Sequence, residues 1–250
     1  MKNNCTPLLI SLTLLMGAVI TSKAQPHMTP AGPKGSFALV ELFTSEGCSS
    51  CPPADEVVAH IARLYPTNVL VLSFHVDYWD RLGWKDAYSS AEYTRRQKQY
   101  AEVMGLTSIY TPQVILNGDK EFLGSDETKL KEAINSGLAG ATPPSFEANA
   151  KNTDNKTITV TYRKTAKENN DLHIALVQLH AETAVKKGEN AGKQLQHINI
   201  VRALIDAKRS NGTVTLDIPA GLSAKDCRII AFSQDPGTLH ITAATEVPIP

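Results

Sequence analysis

Phe37-Ala38-Leu39-Val40-Glu41-Leu42-Phe43, followed after Thr44-Ser45-Glu46-Gly47 by Cys48-Ser49-Ser50-Cys51, is the stretch that decides the fold. The first seven residues are a nearly continuous apolar run, as expected of a strand buried on both faces. Beyond the second cysteine, Ala54, Val57, Val58, Ile61, Ala62 and Tyr65 recur at the spacing of one helical face. Asp55 stands in the first turn of that helix, where the dipole favours an acid. Val69-Leu70-Val71-Leu72-Ser73-Phe74-His75-Val76 is a second buried strand. Parallel neighbours need a crossover of this kind, so the segment reads as a β-α-β unit with two thiols at its first turn.

Working outward toward the C-terminus, Ser89 or Ser90 can cap a helix carrying Tyr93, Gln97, Tyr100 and Met104 on one side, and Gly105 can end it. Gln113 to Leu116 is a strand, Asn117-Gly118 a hairpin turn, and Glu121-Phe122-Leu123 the return. Asp126 caps a last helix through Leu130, Ala133, Ile134 and Leu138, which Gly140 can stop. Residues 37–140 thus form an α/β domain of order β-α-β-α-β-β-α. Ala141-Thr142-Pro143-Pro144 reads as a linker. Residues 145–250 then hold short alternating runs: Thr157 to Tyr162, Leu172 to Leu179, Ile198 to Leu204, Thr213 to Ile218, Arg228 to Phe232 and Leu239 to Ala244. Their spacing predicts a mostly antiparallel, β-sandwich-like domain.

Toward the N-terminus, Lys2, the apolar run Leu8 to Ile20 and the small residues of Ser22-Lys23-Ala24 read as a signal peptide over residues 1–24. The run is shorter than the roughly 20 apolar residues that span a bilayer. The expectation is therefore an exported chain, periplasmic or secreted, with no stable membrane span after cleavage. Residues 25–36, rich in Pro and Gly, form a leader linker. Cleavage removes Lys2 and Lys23 and no acid, so the balance passes from 25 basic and 25 acidic residues to a slight acidic excess. That argues against nucleic acid as a partner. The cysteines left, Cys48, Cys51 and Cys227, are too few for a disulfide scaffold. Their odd number leaves at least one free, exchanging or paired with a partner.

A C-x-x-C pair at a helix start points to redox or metal chemistry. A thiolate is the attacking species, and an N-terminal helix turn helps a thiol ionise. His75 and Asp77 end the second strand, on the edge of the sheet that also holds the thiols, and Asp80 follows. Three readings stand for them: proton carriers in redox chemistry, a copper or zinc site of Cys48, Cys51 and His75, or residues that order the Tyr78/Trp79/Trp84 loop. Gly188-Glu189-Asn190-Ala191-Gly192-Lys193 with His197 either closes over the dithiol, binds a partner or is simply a hairpin. Cys227 reads as a small buried hydrophobe. His173 and His180 fall on opposite faces of one strand and are not a ligand pair.

Glu41 to Asp55, Phe74 to Asp80, Gly83 to Asp86, Tyr110-Thr111-Pro112-Gln113, Gly188 to Lys193, His197 and Val201 to Leu204 together resemble the secreted thioredoxin-like proteins of domain-of-unknown-function family 1223. The resemblance spans roughly residues 37–245. It implies a thiol–disulfide oxidoreductase with no cofactor beyond its own redox-active disulfide, with Cys48 as nucleophile and Cys51 as resolving thiol. It implies a cis peptide at Thr111-Pro112, beside the dithiol, where substrate would bind. The partner would be a thiol- or disulfide-bearing protein client or reductant. A non-enzymatic binding module of the same fold is the other reading. The sequence departs from ordinary thioredoxins at four places. Gly47 stands where an aromatic often precedes the first cysteine. Leu42 stands where a buried acid assists the second, with Glu41 one residue off, to serve there only after a bulge or else to pair with a cation. Pro52 and Pro53 disfavour helical geometry at Cys51.

Overall fold

The computed structural model describes Met1 and residues 36–138, 145–165 and 169–250. The expected signal peptide apart from Met1, the expected leader linker apart from Ser36, the expected Gly140 helix stop and the expected 141–144 linker fall outside the described residues. In chain order the elements are β1 (Ala38–Thr44), α1 (Pro52–Leu64), β2 (Val69–His75), α2 (Ala91–Val103), β3 (Gln113–Leu116), β4 (Lys120–Leu123) and α3 (Glu127–Leu138). They continue with β5 (Phe146–Asn152), β6 (Thr157–Lys164), β7 (Asp171–Ala184), β8 (Gln194–Ala207), β9 (Asn211–Asp217), β10 (Cys227–Gln234) and β11 (Ile241–Val247).

The first half follows the expected β-α-β-α-β-β-α order. β1 and β2 are parallel and in register from Ala38↔Val69 to Thr44↔His75, and every residue of both is buried. Ser90 caps α2 by accepting a hydrogen bond from Glu92 N. Asn117 (φ 50°) and Gly118 (φ 76°) make the turn between β3 and β4. A Cβ at Gly118 would stand 1.9 Å from the Leu239 carbonyl oxygen, so the turn needs glycine twice over.

The second half does not stand apart. Its strands β7, β8, β10 and β11 join the first half in one eight-stranded mixed sheet, β11-β10-β7-β8-β2-β1-β3-β4, and β5-β6-β9 form a second, three-stranded sheet. The junction is narrow. β8 runs parallel to β2 through the pair Ser73↔Ile200, and Ser73 Oγ donates to the Ile198 carbonyl at 2.8 Å. Strand periodicity predicts each of these strands but carries no information on which neighbour it meets. β5 was not expected from its sequence: only Phe146 of Phe-Glu-Ala-Asn-Ala-Lys-Asn is buried, so the strand has little apolar signal.

Three apolar layers result. α2 covers one face of the large sheet, through Tyr93 and Tyr100 against Phe43, Phe74, Val177, Val201 and Phe232. On the opposite face α1 and α3 cover the first half, with Ile61, Leu130 and Ile134 against Val40, Leu42 and Val114. The three-stranded sheet covers the second half on that same face, with Ile158, Val160 and Leu216 against Ile174, Leu176 and Ile229. No helix among the described residues is long and apolar enough to cross a membrane.

Candidate functional site

The dithiol lies in the turn between β1 and α1. Cys48 and Cys51 are free thiols with no exposed surface, while Ser49 and Ser50 between them are exposed. Cys51 is the N-cap of α1 and is helical (φ −77°, ψ −38°) despite the proline that follows. Its carbonyl already accepts the first helical hydrogen bonds, from Ala54 N at 2.9 Å and Asp55 N at 3.2 Å. Pro52 and Pro53 occupy the first helical positions, where no N–H is needed. Cys48 Sγ lies 3.3 Å from Ser50 Oγ and 3.7 Å from the Thr111 carbonyl oxygen. The Thr111–Pro112 peptide is cis.

These surroundings separate the two acidities. A hydrogen bond from Cys51 is the largest influence on Cys48; with smaller ones from Ser50 and Thr111 it outweighs burial and brings Cys48 down to about 6. Burial first, then the neighbouring Cys48, pushes Cys51 well above the ordinary thiol range. The two shifts run in opposite directions, favouring the thiolate at Cys48 and the thiol at Cys51.

Gly47 has a steric reason. A Cβ there would meet Trp79 Cβ at 3.0 Å. The aromatic beside the dithiol comes instead from the loop after β2, and Trp79 Nε1 donates to Thr111 Oγ1 at 2.8 Å, tying that loop to the cis peptide.

Behind the thiols lies a buried polar cluster. Glu46, immediately before Gly47-Cys48, accepts from Trp84 Nε1 at 2.7 Å, and its backbone N–H donates to Asp86 Oδ2 at 2.9 Å. The same Asp86 oxygen is 2.7 Å from His75 Nδ1, both side chains being fully buried. Burial opposes ionisation of Asp86, but the charge and hydrogen bond of His75 and two backbone N–H groups hold it below the usual carboxylate range. His197, on β8, stands 4.9 Å from His75 ring to ring. Its Nε2 is 3.6 Å from Glu46 Oε1 and its Nδ1 3.5 Å from Asp55 Oδ2. Burial disfavours the imidazolium, yet the Asp55 and Glu46 carboxylates outweigh it and raise His197 to about 9. The His197 imidazole thus stands between an acid just before the dithiol and an acid just after it, beyond hydrogen-bond geometry to either.

The 188–193 segment is both a hairpin and a cover. It connects β7 to β8, with Val185 N donating to the Lys193 carbonyl and Gly192 N to the Val185 carbonyl. Asn190, fully buried, donates at 2.9 Å to the carbonyls of both Glu46 and Cys48. Glu189 Oε2 accepts from Ser49 N at 3.1 Å. Glu189, Asn190 and His197 therefore meet the dithiol loop directly.

Other candidates lie elsewhere. Glu41 faces α2, the side away from α1, where Arg96 Nε (2.5 Å) and Nη2 (2.9 Å) bind its two oxygens and Tyr100 Oη donates to it. Asp77 accepts from Thr94 Oγ1, and Asp80 takes Asp86 N and Ser89 Oγ, so both order the loops after β2. Among the described residues no three His, Cys, Asp or Glu side chains are grouped as a metal site. Cys227 is buried, and burial pushes its thiol up to about 11. His173 pairs with Asp206, and His180 lies in a groove beside α1. Thr44, Glu46, Asp55 and Asp86 were not singled out as site residues from the sequence. Glu46, Asp55 and Asp86 do lie within the Glu41–Asp55 and Gly83–Asp86 blocks, and membership of those blocks is the signal that marks them.

A family model described as "Protein of unknown function (DUF1223)" matches residues 39–234. The chain belongs to this family. It is also 30% identical over 96 residues to a thioredoxin of Methanocaldococcus jannaschii, a stretch covering 38% of this chain and 89% of that protein. The crystal structure of a protein from Agrobacterium tumefaciens matches with a TM-score of 0.64 at 27% identity, over 84% of this chain and 93% of that one. The family member described here is thus thioredoxin-like, with a C-x-x-C pair at the turn between β1 and α1.

Proposed function

We propose that this protein is an exported thiol–disulfide oxidoreductase in which Cys48 attacks and Cys51 resolves. The observation that carries the reading is the placement of the pair: two free thiols at the start of α1, with Cys48 Sγ 3.7 Å from the carbonyl of the cis Thr111–Pro112 peptide, in surroundings that favour the thiolate at Cys48 and the thiol at Cys51. The step balances as follows. The Cys48 thiolate attacks one sulfur of a client disulfide, forming a mixed disulfide and expelling the other client sulfur as a thiolate. Cys51 then loses its proton and attacks the Cys48 sulfur, closing the Cys48–Cys51 disulfide and releasing the second client thiol. Two electrons pass from the dithiol to the client, and the reverse sequence oxidises a client. The cis Thr111–Pro112 peptide sets the edge along which an extended client segment lies. Cys48 has no exposed surface, so exchange includes a local opening of the Ser49–Ser50 turn.

The test is a glutathione redox titration of the Cys48–Cys51 pair, read by thiol trapping. A catalytic pair equilibrates with the buffer at a potential above about −300 mV. A pair that stays oxidised to much lower potentials is a staple, and the protein is then a binding module rather than an enzyme.

A further inference from the structure

Two segments wall the dithiol turn, and both carry cations that no acid of the chain answers. The first is the loop after β2, where Trp79 stands against Gly47 and Trp84 Nε1 donates to Glu46. The second is the β7–β8 hairpin, where Glu189 accepts from Ser49 N. The walls touch each other: a Cβ at Gly188 would lie 3.3 Å from Trp84 Cβ and 3.7 Å from the Leu82 carbonyl oxygen. Arg81 and Lys85 flank that contact on one wall, Lys186 and Lys187 on the other, and all four are exposed. Among the described residues none of the four pairs with a carboxylate. The acids of the loop are turned inward instead. Asp86 is buried on His75, while Asp77 and Asp80, half-buried, are held by Thr94 Oγ1 and by Ser89 Oγ. Glu189, the acid of the hairpin, is bound by the Ser49 N–H beside Cys48, so the turn already takes a carboxylate at its rim. The whole chain holds 25 basic and 25 acidic residues, so the exposed excess of cations beside the thiols is local.

We infer that the loop after β2 and the β7–β8 hairpin form a docking surface for an acidic peptide segment, which brings a disulfide flanked by Asp or Glu to Cys48. This rests on the oxidoreductase reading above and gives it a client class: proteins with acidic residues beside the cysteine that is attacked. A lipid surface is the other partner that cations select. Leu82, 42% exposed on a three-residue turn, is the one exposed large apolar side chain of the two walls, too little to seat a protein in a bilayer surface. The thiols beside the cations react with a peptide disulfide and not with a lipid headgroup.

The probes are two peptide disulfides of identical length, each with a fluorophore quenched across the disulfide, with glutamates beside the cysteines in one and lysines in the other. The pre-reduced full chain passes two electrons to a probe, closing Cys48–Cys51 and releasing two peptide thiols, and the rise in fluorescence gives the rate. Exposed ion pairs are individually weak and screened by salt, so the acidic probe is expected to react about tenfold faster at ~0.02 M salt and within about twofold at ~0.5 M. Lys85→Gln/Lys186→Gln/Lys187→Gln abolishes the preference and Lys85→Glu/Lys186→Glu/Lys187→Glu reverses it, while alkylation of Cys48 by uncharged iodoacetamide keeps the parent rate in both. Equal rates for the two probes with the parent chain at low salt, or a preference that survives in the Gln variant, overturns the docking surface and leaves the oxidoreductase reading intact. A fall in alkylation that matches the fall in probe rate places the effect on Cys48 itself and also overturns it. So does binding of the parent chain, and not of the Gln variant, to phosphatidylglycerol vesicles without a preference between probes, which assigns the cations to a lipid surface. Reduction of neither probe sinks the oxidoreductase reading. Should the Glu variant fail to fold, the Gln variant decides alone.

Discussion

Raising the pH from 5 to 8 changes which protons accompany the two electrons of the dithiol, and the structure sets by how much. An ordinary dithiol takes up two protons on reduction, so its potential falls by about 59 mV per pH unit, or ~180 mV over this range. With Cys48 at about 6, the reduced pair holds one proton above that pH, and the slope halves to about 30 mV per unit. The total fall becomes ~120 mV. In free energy, the lowered pKa of Cys48 favours the reduced form at pH 7 by about 1.4 kcal/mol, equivalent to about 30 mV. The sign follows from a depressed acid. Its contribution is in full force above the unfolded thiol value near 9 and is lost as pH falls through about 6. Cys51 does not alter this sum, because it is protonated throughout the range. The assay is the glutathione titration repeated at half-unit pH intervals. Cys51→Ala, which removes the largest influence on Cys48, should move the midpoint of Cys48 alkylation upward from about 6. A straight 59 mV slope through pH 8 would refute the assignment of a lowered pKa to Cys48.

Three further outcomes are expected. In the oxidised protein, where neither thiol of the pair titrates, His197 stabilises the fold fully below its unfolded value near 6.5. That contribution, about 3 kcal/mol, is lost as pH rises through about 9. Urea unfolding of His197→Gln should show this pH dependence gone. Arg96→Ala strands the buried Glu41 carboxylate and should cost about 3–5 kcal/mol, most of it recovered in Arg96→Met/Glu41→Leu. Cys48 alkylation in that double variant should stay at the wild-type rate, since Glu41 faces away from the dithiol. Asn190→Ala leaves the Glu46 carbonyl without its partner and the Cys48 carbonyl with Cys51 N alone, a loss of about 1–3 kcal/mol. Hydrogen exchange at Ser49 and Cys51 should accelerate in it, and unchanged protection there would show that the hairpin does not hold the loop.

Much of the fold was legible because its signals are local. The apolar runs of β1 and β2, the Ser90 cap, the Asn117-Gly118 turn and the Cys48–Cys51 spacing each need only a few neighbouring residues. The joining of β8 to β2 does not show in any window, because both strands are buried and would read alike beside any partner. The site divided the same way. The thiols and the cis Thr111–Pro112 peptide were expected from the family resemblance. The two prolines set the start of the regular helix at Pro52 with Cys51 outside it, and α1 does begin there with Cys51 as its N-cap; Cys51 itself nonetheless takes helical backbone angles, which a following proline disfavours. Spacing cannot reveal that His197 stands between Glu46 and Asp55, because those contacts exist only after the two halves have met. For the 188–193 segment, hairpin and cover proved not to be alternatives, as one turn performs both roles.

The narrow seam between β2 and β8 also bears on how the chain is made. Ser73 waits for Ile200, about 125 residues later, which at roughly 5–20 residues per second of synthesis is ~6–25 s. Throughout that interval the flank of β2 presents unpaired backbone groups beside Leu70, Leu72 and Phe74, a template for pairing with any other extended chain. Ribosome-bound chains are therefore the form in which this protein is most exposed to aggregation. A fragment ending near residue 138 would carry that open edge permanently. Holdase chaperones that bind extended apolar segments should capture nascent chains shorter than about 200 residues and release them once β8 has docked.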